Sequence, residues 1–142
     1  MAKTTKVMLI PDEVVMNKIY LLRKQKVMLD RDLADLYGIK PIRLREQVKR
    51  NISRFPGNFM FQLSDEETET MVSQNAIPSR KHLGGYFPYA FTEHGVLMLA
   101  NVLKTETAMQ VSIRIIEIFV KMRELLLSHQ DILLSRLLSG KK

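Results

Sequence analysis

Asp30-Arg31-Asp32-Leu33-Ala34-Asp35-Leu36-Tyr37-Gly38-Ile39-Lys40-Pro41-Ile42-Arg43-Leu44-Arg45-Glu46-Gln47-Val48-Lys49-Arg50-Asn51-Ile52-Ser53-Arg54 is the stretch on which the fold turns. Asp30 can cap a helix from Arg31, Asp32 suits its positive end, and Leu33, Leu36 and Tyr37 share one apolar side. Gly38 ends that helix, because glycine accepts the left-handed conformation that helix termination often needs. Pro41 then opens a second helix, where its missing N–H costs nothing, and this helix is expected to run to about Arg54. The pair is similar to a helix-turn-helix, with the small Ala34 four residues before Gly38 letting the second helix pack closely. Leu44 and Val48 lie four apart where the commonest pattern has three, so an ordinary helical hairpin is the competing reading.

At roughly 100° per residue, Leu44, Val48, Ile52 and Phe55 gather on one side of the second helix, the one expected to be buried. Lys40, Arg43, Gln47, Arg50 and Arg54, spaced three, four, three and four, form a stripe at the edge of that face, and Arg45 and Lys49 flank its other edge. Such a helix meets the demands of duplex DNA, because cations neutralise phosphates while Arg, Gln and Asn can hydrogen-bond base edges. The chain's charge supports a polyanion partner. Of the formal net charge of +7, the whole excess falls in residues 1–54, which hold thirteen Lys/Arg against six Asp/Glu, while residues 55–142 hold nine of each. A solubilising basic face is the plainer account of the same charge.

Outward from this pair, Val14–Leu29 is rich in Val, Ile, Leu and Tyr and is broken by Arg23-Lys24-Gln25, which predicts a hairpin with a basic turn. Residues 1–13 read as a loose polar arm. After Arg54, Phe59-Met60-Phe61-Gln62-Leu63 predicts a strand, and Ser64 with Glu67 forms a capping box at the start of an acidic helix. Residues 73–88, with two prolines and Gly84-Gly85, predict a loop, and Tyr89-Ala90-Phe91 a last short strand. Thr92 caps a helix through Val96, Leu99, Val102 and Leu103, and Thr105 caps another from Glu106 towards Leu138, about 50 Å long. In that last helix Val111, Ile115, Ile118, Met122, Leu125, His129 and Ile132 keep a four-three spacing, the mark of a helix seam. The first half of the seam is expected on the domain's own core and the part beyond Met122 in self-association.

Length and composition exclude much else. The 142 residues, 46% apolar and 26% charged, suit one domain with an appendage. Without cysteine there is no disulfide, thiolate metal site or cysteine nucleophile, and a cytoplasmic location is expected. No signal peptide or membrane span is legible. His82, His94 and His129 lack metal-ligand spacing, so no metal or other cofactor is expected. Glu93 beside His94 is explained by the helix dipole, and Gly84-Gly85 has no phosphate-loop motif around it. Of the nine methionines, Met60, Met98 and Met122 fall on core positions. Asp65-Glu66-Glu67 with Glu69 reads as a solvated helix start, with DNA mimicry the remoter alternative.

Several blocks together carry a family resemblance. Val27-Met28-Leu29-Asp30 with Leu33-Ala34-Asp35-Leu36-Tyr37-Gly38, then Val48-Lys49-Arg50-Asn51, Arg54-Phe55-Pro56 with Asn58-Phe59-Met60-Phe61-Gln62-Leu63, and Pro88-Tyr89-Ala90-Phe91-Thr92-Glu93-His94-Gly95-Val96 with Met98-Leu99 resemble the KilA-N group of phage and viral DNA-binding domains. They look most like its phage open-reading-frame-six N-terminal branch, over residues 14–124. The resemblance implies an α+β fold with short antiparallel strands, a helix-turn-helix-like pair and a long C-terminal helix. It also implies a place in phage or prophage regulatory or antirepressor-like proteins, no catalysis, and DNA contacts at Lys49, Arg50 and Arg54. Arg43 and Gln47 rest on the helical wheel alone. Lys24 stands where the family often has glycine, and His94 where it often has glutamine.

The expected organisation is therefore an arm (1–13), a KilA-N-like DNA-binding domain (14–122) and a C-terminal helical extension (123–142). The expected partner is double-stranded DNA, contacted through Lys40, Arg43, Arg45, Gln47, Lys49, Arg50 and Arg54, with a homodimer formed through the C-terminal helix and no small-molecule substrate. The alternative is an antirepressor-like interaction module whose DNA affinity is incidental.

Overall fold

A computed structural model describes residues 10–139, without the side chains of 129–131 and 139. Its strands are β1 (Ile19–Leu22), β2 (Gln25–Leu29), β3 (Met60–Gln62) and β4 (Tyr89–Phe91). Its helices are α1 (Asp12–Met16), α2 (Asp30–Tyr37), α3 (Pro41–Arg50), α4 (Asp65–Ser73), α5 (Glu93–Leu103) and α6 (Glu106–Ser139), with 3-10 turns at Ile52–Arg54 and Lys81–Leu83. The fold is α+β, and the strands form one antiparallel sheet in the order β1-β2-β4-β3.

Alternation along each strand gives the sheet two apolar faces. Met28, Phe91 and Met60 stand in one row across β2, β4 and β3 and meet α2, α3, α5 and α6 through Leu33, Leu44, Leu99 and Ile115. Leu29, Ala90 and Phe61 form the opposite row and lie under Met71, Ile77 and Leu83, from α4 and the segment after it. The sheet is thus the middle of three layers. Its first face supports the helix pair α2–α3.

The hairpin is built without glycine. Arg23 and Lys24 occupy the two-residue turn with φ of 52° and 63°, the doubly left-handed geometry that Asn-Gly usually fills. Arg23 is held there by Glu67, Nε to Oε2 at 2.8 Å and Nη2 to Oε1 at 3.0 Å, and lies 4.0 Å over the Phe61 ring. A bidentate charged pair of this kind offsets the local backbone cost. It also holds the Glu67 carboxyl down at about 2.

The expected caps at Ser64, Thr92 and Thr105 are in place, but Asp30 does not cap α2. That helix begins at Asp30 itself, with Leu29 before it and no side-chain cap bond, because the buried Asp30 carboxylate is turned to the N–H groups of Arg31 and Tyr89. Ser64 Oγ accepts from Glu67 N–H while the Glu67 carboxylate accepts from Ser64 N–H, and Thr92 and Thr105 accept from Gly95 and Ala108 N–H. Three further expectations need correction. Val14–Met16 belongs to helix α1 rather than to a strand, so the hairpin begins at Ile19. The loose arm also ends earlier than expected, because Asp12 pairs with Arg114 and with Lys121 on α6; residues 1–9 of that arm lie outside the described residues. Finally, α3 stops at Arg50 instead of Arg54, since Asn51 leaves helical geometry at φ −122° and ψ 32°.

Candidate nucleic-acid interface

The turn between α2 and α3 is fixed by backbone chemistry. Gly38 takes φ 74°, its N–H donates to Asp35 O at 3.1 Å, and Ile39 N–H donates to Ala34 O at 3.0 Å. These two bonds satisfy the last carbonyls of α2 and aim the chain into Pro41, the first residue of α3. Ala34 is fully buried at the crossing, and Tyr37 anchors α2 to α6 by a 2.8 Å hydrogen bond to Ser112 Oγ. Leu44 and Val48 bury completely against the core, so α3 is held by its apolar face and leaves Ile42, Arg43, Glu46, Lys49 and Arg50 exposed to solvent.

Lys40, Arg43, Lys49, Arg50 and Arg54 are exposed, and none has an acidic partner within ion-pair distance among the described residues. Gln47 is half-buried. Arg43, Gln47, Arg50 and Arg54 line one groove of about 630 Å³ whose far wall is Val102, Leu103 and Lys104. The stripe read from the helical wheel is therefore one wall of a basic cleft.

Lys104 was not anticipated. It ends α5 in the left-handed region (φ 56°), and its approach to α3 is a product of the α4-to-α5 chain path, for which the local sequence carries no signal.

Arg45 stands apart from the expected set. Its guanidinium stacks 3.8 Å over the Tyr86 ring, donates to Tyr86 Oη at 2.8 Å and lies 4.0 Å from Asp30. It ties α3 to the 74–87 segment instead of joining the exposed ridge. Ile52 also departs from its expected place: the early end of α3 rotates it out of the apolar face and leaves it 54% exposed. Phe55, after the 3-10 turn, does reach the core, edge-on to Phe91 at 5.9 Å.

Asp30 is the buried acid of the site. Its carboxylate accepts from the N–H groups of Arg31 and Tyr89 at 2.7 and 3.2 Å, linking α2 to β4. Burial pushes its carboxyl up to about 6, against the pull of those two N–H groups and of Arg45. His82 faces Arg31 Nη2 at 3.1 Å, and His94 stacks on Phe59. Among the described residues no three His, Asp or Glu side chains are grouped to hold a metal, and no helix is long and apolar enough to cross a membrane.

Fold and site together define an α+β domain that presents a basic second helix from a helix-turn-helix-like pair. Residues 17–102, from just before the hairpin to the last turn of α5, match the family profile of the ORF6N domain, the phage open-reading-frame-six N-terminal domain, and the chain belongs to that family. Comparison with curated proteins and with solved structures gave no match.

Proposed function

We propose that this chain is a phage- or prophage-type regulatory protein that binds duplex DNA through α3. The observation that carries the reading is the group of exposed cations, unpaired among the described residues, at Arg43, Lys49 and Arg50 on α3 and at Lys40 and Arg54 just before and after it, with the other face of that helix locked into the core. Unpaired surface cations keep their full charge for phosphates, and arginine can also read guanine edges. Glu46, exposed between the two basic margins, repels phosphate and suits a cytosine amino group, which favours base reading over simple neutralisation. Lys104 adds a cation on the far wall of the cleft. The reading requires no catalytic step, cofactor or small-molecule substrate, and it places the protein with its DNA in the cytoplasm.

Binding to random-sequence duplex, followed by fluorescence anisotropy across a salt series, tests it. Five neutralised phosphates give a log–log slope of about −4.5. Replacing Arg50 with Ala lowers that slope by about one if the side chain holds phosphate, and alters the preferred site if it reads a base. A flat salt response overturns the proposal. Exposed Ile42 and Ile52 beside the cations favour the second reading, an antirepressor-like module that binds protein with this face, and the absence of any complex at micromolar protein would select it.

A further inference from the structure

The helix α6 outgrows the domain it packs on. Its 34 residues span about 51 Å, yet its inner seam of Ala108, Val111, Ile115, Ile118 and Met122 meets the core only as far as Met122. Beyond that point Leu125, Leu126, Leu127, Ile132, Leu133, Leu134, Leu137 and Leu138 are all between 45% and 67% exposed. So many apolar side chains on one overhanging helix is a surface that water does not favour.

A second uncovered apolar surface lies at the other end of the same helix. Between α5 and the first half of α6 runs a groove of about 850 Å³, with Leu97, Ala100, Met109, Ile113 and Ile116 in its walls. Leu97, Met109 and Ile113 are 59%, 53% and 48% exposed. Along α6, the groove residues Met109, Ile113, Ile116 and Val120 continue through Arg123 to Leu127, Gln130, Leu134 and Leu137 at an unbroken four-three spacing. The helix therefore carries two seams: an inner one filled by its own domain and an outer one on which Met109, Ile113, Leu127, Leu134 and Leu137 are exposed.

We propose that the outer seam is an interface with a second copy of this chain, the two α6 helices lying antiparallel so that the overhang of each covers the α5–α6 groove of the other. A two-fold near Arg123 sets Met109 of one copy beside Leu137 of the other, Ile113 beside Leu134 and Val120 beside Leu127. A closed pair of this kind is the isologous arrangement. Arg123 at its centre is already neutralised by Glu93 at 2.8 Å. Antiparallel order also sets the positive end of each helix against the negative end of the other. A parallel zipper of the overhangs would leave both grooves empty; the antiparallel pair covers every exposed position of the outer seam. The inference stands independently of DNA binding.

Because the chain has no cysteine, single-cysteine variants of the full chain report the geometry directly. Ile113→Cys and Leu134→Cys, each alone, should stay uncrosslinked under mild oxidation, whereas an equal mixture should yield a disulfide-linked pair. Self-crosslinking of either variant alone shows a parallel arrangement and overturns the proposal. So does a wild-type protein that sediments as a monomer at tens of micromolar. Ile113→Glu, at a half-exposed position that leaves the inner core untouched, should convert the dimer to a folded monomer with an unchanged circular-dichroism spectrum, whose unfolding temperature no longer depends on protein concentration. A variant that remains dimeric removes the groove from the interface and overturns the proposal as well.

Discussion

Replacing Gly95 with alanine sets two physical effects against each other, and the fold decides between them. Gly95 lies in the first turn of α5, where intrinsic helix preference favours alanine by up to about 1 kcal/mol. Packing opposes it. A methyl group built on Gly95 falls inside the contact distance of the Phe59 carbonyl oxygen, 3.0 Å from the carbonyl carbon and 3.3 Å from Phe91 Cβ. The oxygen belongs to backbone, so it cannot swing aside as a flexible side chain would. It also accepts from Thr92 N–H at 3.0 Å and lies 3.2 Å from Thr92 Oγ1, the N-cap of α5. Relief of the clash must therefore separate α5 from the segment leading into β3 and loosen those bonds. Overpacking of about 1–3 kcal/mol and weakened hydrogen bonds of about 1 kcal/mol each outweigh the propensity gain, for a net destabilisation of about 3 kcal/mol. With a urea dependence of about 1.5–2 kcal/mol per molar, the unfolding midpoint should fall by roughly 1.5–2 M at unchanged slope. A Gly95→Ala protein as stable as wild type, or more so, would refute the reasoning.

Three further outcomes are expected. Asp30 is harder to ionise in the folded chain, about 6 against 3.8, so its contribution is greatest below pH 4, declines by about 2–3 kcal/mol as pH rises through 6, and is flat above; chemical denaturation of wild type and Asp30→Asn across that window should give diverging curves, and parallel curves would count against it. Ser64→Ala should cost about 1 kcal/mol by removing half of the capping box of α4, while the stabilisation from Glu67, held down at about 2 from 4.5, is lost as pH falls through that interval; circular dichroism melts check both. Arg45→Ala should lower the melting temperature by loosening Tyr86 yet leave the salt slope of DNA binding intact, whereas Arg50→Ala should do the reverse, and the same slope change in both variants would contradict the distinct placement of Arg45.

Most of the element order was legible because capping and turn residues act locally. Ser64 with Glu67, Thr92, Thr105, Gly38 and Pro41 all do in the fold what their side chains and backbone preferences dictate. Asp12–Met16 misled because Val14 and Val15 have strand-like side chains, while the helix there is supported by the remote Arg114 and Lys121. In the site, the stripe at Arg43, Gln47 and Arg50 follows from helical periodicity alone. Arg54 reaches the same cleft although α3 ends four residues before it. The diversion of Arg45 to Tyr86 and the presence of Lys104 in the same groove as Arg43, Gln47, Arg50 and Arg54 bring together residues far apart in the chain, which no local pattern encodes. The expected seam of α6 is filled by the domain's own core through Met122, the side chain of its member His129 lies outside those described, and the outer seam is hard to read because it shares its helix with a better-populated one.

The strand order β1-β2-β4-β3 has a consequence for how the chain is made. β4 is the last strand synthesised, yet it is hydrogen-bonded on both sides, to Met28 and Leu29 and to Met60, Phe61 and Gln62. While a nascent chain is shorter than about ninety residues, α2 and α3 therefore have only an unfinished floor beneath them, with strand edges open to wrong partners. The central three residues arrive, and the binding helix gains its foundation, only when Tyr89-Ala90-Phe91 leaves the ribosome.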